Sequence, residues 1–154
     1  MKSIKDQLKS IATELDKGNL VVASVSKKGT YWHLDHSLRV IEGVLETLIT
    51  SKPEDFSPRI NFWKKIILLT GYIPRGKGKA PKQVVPLPEI SKDDLLKRLE
   101  SIQVLLSKSE NTHKKAHFNH PLFKDLNKKQ TLRFLRIHTH HHLKIIADIN
   151  KRAN

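Results

Sequence analysis

Apolar residues recur along the chain at the spacing of helix faces. Ile4, Leu8, Ile11 and Leu15 step by 4, 3 and 4, which predicts a first helix, and Gly18-Asn19 supplies residues that end helices in the left-handed conformation. Leu20–Val25 is a short, β-branched run read as an extended connector. Leu34, Leu38, Ile41, Leu45 and Leu48 repeat the helical spacing, with Val40, Val44 and Ile49 widening the stripe and Pro53 past its end. Pro58, placed as a first-turn residue, opens a short helical segment, Ile60–Leu69, closed by Gly71. Ser91 and Asp94 have the spacing of a capping box before Leu95, Leu99, Ile102 and Leu106. Residues 109–126 read as polar and irregular. Asn127 with Gln130 then opens a long helix to about Asn150, with Leu135, Ile145 and Ile149 on its inner stripe. No strand pair is predicted. The expectation is an all-α fold, an antiparallel four-helix bundle with one additional short helix, forming a single domain over residues 1–154.

Composition narrows the chemistry. In 154 residues there are 29 Lys and Arg against 15 Asp and Glu, a formal charge of +14, and no cysteine. The missing thiols exclude disulfides, cysteine-ligated zinc, iron–sulfur clusters and a cysteine nucleophile. The N-terminal stretch mixes charged and apolar residues, and no run approaches a membrane span. A soluble, cytoplasmic protein without a membrane partner is expected. Residues 74–88 hold four prolines and two glycines and form a basic loop; its Gly-Lys-Gly-Lys does not match a phosphate-binding loop.

Six of the nine histidines fall in two clusters, His33 and His36 in one, His138, His140, His141 and His142 in the other. At about 100° per residue, Leu135, His138, His142, Ile145 and Ile149 share one helix face, so two histidines interrupt a core stripe. Residues four apart have Cβ atoms roughly 5–6 Å apart, a separation from which two imidazoles reach one ion. His140 points outward with Arg133 and Lys144, and His141 lies at the edge. A third ligand is expected from the second helix. Measured from the leucine stripe, His33 lies about 100° away and His36 about 160° away, which favours His33 and leaves His36 as an outer partner or its replacement. Three imidazoles would leave a coordination position open, as in catalytic zinc sites. Zinc or nickel suits such ligands among divalent transition metals.

His33-Leu34, followed on the last helix by His138-x-His140-His141-His142, resembles the DinB-like/YfiT-like superfamily of metal-dependent hydrolases. That resemblance implies a four-helix bundle with a metal held by His33, His138 and His142. His120-Pro121-Leu122-Phe123-Lys124 is also similar to a His-Pro-aromatic-Phe-Gly loop of one DinB-like subfamily, with Lys124 where glycine is expected. Some members of the superfamily are similar to S-transferases that use bacillithiol or mycothiol. The resemblance therefore implies a small-molecule substrate, with water or a low-molecular-weight thiol activated by the metal.

His120 or His141 could transfer a proton, although His120 before Pro121 reads more readily as a residue that fixes the loop. Asp35 and Asp148 could orient a ligand imidazole, or simply be solvated. Trp32, Phe62, Trp63, Phe118, Phe123 and Phe134 could wall a pocket or fill the core. Arg75, Lys77 and Lys79 could form a rim for an acidic substrate. Two rival classes remain: a basic nucleic-acid binder, whose affinity would fall steeply with salt, and a metal-binding scaffold without turnover. A homodimer is compatible with either.

Overall fold

The computed structural model describes residues 1–76 and 81–153, and the chain within them is mostly helical with one small sheet. The helices are α1 (Ile4–Leu15), α2 (Thr30–Thr50), α3 (Phe62–Thr70), α4 (Lys92–Glu110) and α5 (Lys128–Ala153). Short 3₁₀ turns lie at Pro53–Asp55 and Lys82–Val84, and strands β1 (His117–His120) and β2 (Lys124–Asn127) precede α5.

Local chemistry explains most of the boundaries. Ser3 and Asp6 form a reciprocal capping box at the start of α1. Gly18, at φ 79°, turns the chain out of that helix. Leu20–Val25 contains no strand, as the connector reading requires. The entry to α2 has no side-chain cap of its own. Asn19 supplies one from across the loop, its Oδ1 accepting from the Tyr31 amide at 3.1 Å, while Thr30 Oγ1 donates to the Gly18 carbonyl at 3.0 Å. Gly71, at φ 67°, ends α3. Asn127 and Gln130 exchange hydrogen bonds of 3.0 and 3.1 Å at the start of α5, the predicted capping box.

Two expectations need correction. Pro58 lies outside α3, which begins at Phe62 because the Asn61 side chain accepts from the Lys64 amide and fixes the first turn there. Residues 109–126 are not wholly irregular: β1 and β2 pair antiparallel with His117 opposite Asn127 and His120 opposite Lys124. Side chains secure this hairpin. Buried Asp125 accepts from the Ser57 amide at 2.9 Å and from Asn119 Nδ2 at 2.6 Å, and Lys64 Nζ donates to the Asp125 carbonyl at 3.3 Å.

One hydrophobic cluster draws on all five helices and the hairpin. Leu34, Leu38, Ile41, Leu45 and Leu48 are fully buried, which confirms the α2 stripe. α2 packs against both α4 and α5, and α1 lies against α5 and α4. Covered on more than one side, α2 also buries His33, Asp35, His36 and Ser37. Of these, His33 and His36 face the histidines of α5.

Candidate metal centre

α2 and α5 bring His36, His138 and His142 together, with one ring nitrogen from each inside a group no wider than 4.8 Å. Their ring centroids are 4.7 to 5.1 Å apart. His138 and His142 meet because they occupy successive turns of one helix face. His36 joins them because the N-terminal part of α2 packs against α5. Trp32, one turn earlier, stacks on His36 at 5.0 Å and shields it, and Lys28 lies over the Trp32 ring.

The hydrogen bonds fix one tautomer. His36 Nδ1 donates to the Val84 carbonyl at 2.8 Å. A carbonyl can only accept, so Nδ1 carries the proton and Nε2 keeps its lone pair. The Nδ1 of His138 is buried without a hydrogen-bond partner among the described residues, although the residue as a whole is half-buried. His33 lies beside the group through His142: their Nδ1 atoms are 3.0 Å apart, and His33 Nε2 is 2.9 Å from Ser26 Oγ. An N···N contact of that length holds one proton. If the proton sits on His142, His33 accepts it at Nδ1 and donates from Nε2 to Ser26, and His142 Nε2 is left bare.

Electrostatics keep the cluster neutral. Burial, followed by the neighbouring histidines, holds His138 and His142 well below the usual imidazole range. Burial, reinforced by His36, His141 and Arg75, brings His33 down to about 4. His36 is lowered by burial, with the Val84 bond and Asp35 opposing. Rings that are neutral at pH 7 present lone pairs, the form in which imidazole coordinates metals.

The other candidate residues fall elsewhere. His141 neighbours His142, with centroids 5.0 Å apart, and lies near the Ile73 backbone and Arg75. His120 is part of the hairpin turn, where its Nδ1 accepts from the amides of Leu122 and Phe123 at 3.1 and 3.2 Å. Its ring stacks on Phe123 at 4.2 Å, the loop-fixing arrangement. Arg75 pairs with Asp148 at 2.7 Å on the surface; Lys77 and Lys79 lie outside the described residues. Neither acid orients a histidine: Asp35 is buried and paired with Arg39 at 2.6 Å and Arg98 at 3.5 Å. Phe134 reaches His138, with centroids 5.7 Å apart, whereas Phe62 and Trp63 face solvent.

Ser26 and the Val84 carbonyl were not anticipated. A backbone carbonyl carries no sequence signal, and Ser26 acts across a loop that follows no period. The four-residue spacing of Trp32 and His36 was the available sign that His36 is covered.

The fold and the site define a mostly helical protein with three clustered histidines that could hold a metal ion. No family model, curated protein or solved structure matches the chain.

Proposed function

We propose that this chain is a divalent-metal protein of the DinB-like kind, with α1, α2, α4 and α5 as an antiparallel four-helix bundle and α3 as the additional short helix. Its ion, zinc or nickel, is held by His36, His138 and His142. The observation that carries this reading is the convergence of three ring nitrogens within 4.8 Å. The bare, buried Nδ1 of His138 supports it, because an unpartnered buried nitrogen costs about 1–3 kcal/mol. A coordinating ion would remove that cost where it takes up the nitrogen.

His33 is assigned to hold His142, not the ion, because its two nitrogens are engaged by Ser26 and His142. Val84 does the same for His36. Such partners fix the ring and raise ligand basicity. A bound ion would supply an acidified water or thiol and a polarised carbonyl. Among the residues around it, His33 donates a hydrogen bond from Nε2 to Ser26, Trp32 excludes water from one side of His36, and His141 is the accessible proton carrier. With no carboxylate among the described residues directed at the histidines, the activity proposed is hydrolysis or thiol transfer on a small molecule, with the acid–base work done by imidazole.

Metal analysis of tag-free protein by mass spectrometry tests the assignment. About one ion per chain is expected, lost in His36→Ala, His138→Ala and His142→Ala. His33→Ala should keep the ion with affinity weakened roughly 10–100-fold. Full loss of metal in His33→Ala with retention in His36→Ala would instead give the ligand set implied by the DinB-like resemblance. No metal in the wild-type chain after reconstitution would end the proposal.

A further inference from the structure

α3 is apolar on both faces. Ile67 is buried and Leu68 half-buried against the core, while Phe62, Ile66 and Leu69 lie at positions i, i+4 and i+7 on the opposite side. Of that outer stripe, Leu69 is 81% and Phe62 69% exposed, and Trp63 beside them is 54% exposed. Ile60 precedes the helix with 90% of its surface free. Leu122 joins the same face because Asn61 Nδ2 donates to its carbonyl at 2.9 Å, seating the hairpin turn next to the start of α3. A patch of this kind, on the order of several hundred Å², is larger than scattered surface hydrophobes and marks an interaction site.

Its charge setting identifies the partner. From residue 56 to residue 76 the chain contains four Lys and Arg and no Asp or Glu; of the four, Lys64 is buried and Arg75 is paired with Asp148. Arg59 and Lys65 are exposed at the patch itself. A second copy would bring another +14 chain against this one, so self-association is opposed by like charge. Aromatic and aliphatic side chains on a short helix, edged by cations and free of anions, match the headgroup region of an anionic bilayer.

We propose that the outer face of α3 docks on anionic membrane surfaces, with Phe62, Trp63 and Leu69 entering the headgroup layer and Arg59 and Lys65 meeting lipid phosphates and carboxylates. The chain lies on the surface; no helix among the described residues is long and apolar enough to cross. This inference is independent of the metal centre.

Flotation of the full chain with vesicles of mixed phosphatidylserine and phosphatidylcholine, against pure phosphatidylcholine, tests it. The wild-type chain should float with the anionic vesicles, less so in high salt. The Phe62→Ser/Leu69→Ser double variant changes only exposed side chains, so it should keep its helical circular dichroism and float about tenfold less. Equal flotation of the variant would reduce the effect to charge alone and overturn the docking face. So would absence of flotation, or a wild-type dimer by light scattering that the double variant makes monomeric.

Discussion

The Val84 carbonyl imposes a proton position on His36, and this makes the residue scale testable. His36 is expected to be the Nδ1–H tautomer, and ¹⁵N chemical shifts of the metal-free chain will show one protonated Nδ1 and one bare Nε2; the reverse pattern would contradict the Val84 bond. A pH dependence also follows. His33 and His120 are both held down to about 4 by burial, against about 6.5 for an unfolded chain. Between those values the unfolded state binds more protons, so these rings contribute stability fully above pH 6.5 and lose it as pH falls toward 4. The expected loss is up to about 1.4 kcal/mol per pH unit for each ring. Urea midpoints of metal-free protein at descending pH will measure it, and a flat profile would refute the burial of both rings. At this scale His138 and His142 were legible, since a helix period places them. The place of His36 in the same group was not: an angle from the leucine stripe assumes one buried face, whereas α2 is covered by α4, α5 and the Val84 turn.

At the scale of elements, the helices were readable and the hairpin was not. His117–His120 and Lys124–Asn127 show no alternation of apolar residues; they are held by the Asn119–Asp125 bond within the hairpin and by the Ser57 amide from across the fold. One sign was present in the resemblance to a loop with glycine at position 124. Lys124 adopts φ 59°, the only positive φ among the described non-glycine residues. A side chain there costs about 1–2 kcal/mol, partly offset in glycine by its looser unfolded chain. Lys124→Gly should therefore stabilise the protein by about 1 kcal/mol, measured by chemical denaturation. A destabilisation would mean that the lysine makes a contact outweighing its backbone conformation. The mistaken start of α3 has a similar origin. Pro58 is a sound first-turn residue in the abstract, but the Asn61 side chain competes for the same role and succeeds.

For the whole molecule, the helical spacing of apolar residues gave the correct broad class, mostly helical, and composition gave the charge of +14. It did not show where the charge sits relative to exposed apolar surface, because that depends on which face of α3 the core leaves uncovered. Metal loading belongs to this scale too, since an ion that binds only the folded chain stabilises all of it. At a free-ion concentration of 100 times Kd the gain is about 2.7 kcal/mol. For a chain of this length that corresponds to a rise in Tm of roughly 5–10 °C. Calorimetry with and without zinc will measure it, reversal by a chelator is expected, and an unchanged Tm would argue against an ion held by the folded state.

The carbonyl that sets the His36 tautomer belongs to the Lys82–Val84 turn, not to a helix. For an ion held through His36, occupancy of the centre and order in that turn would be thermodynamically reciprocal: whatever tightens one must tighten the other by the same factor. Ion binding should slow hydrogen exchange at the Val84 and Val85 amides, far from any ligand in sequence. Conversely, a substitution such as Pro81→Gly, which frees the turn, should speed ion release without altering a single coordinating atom.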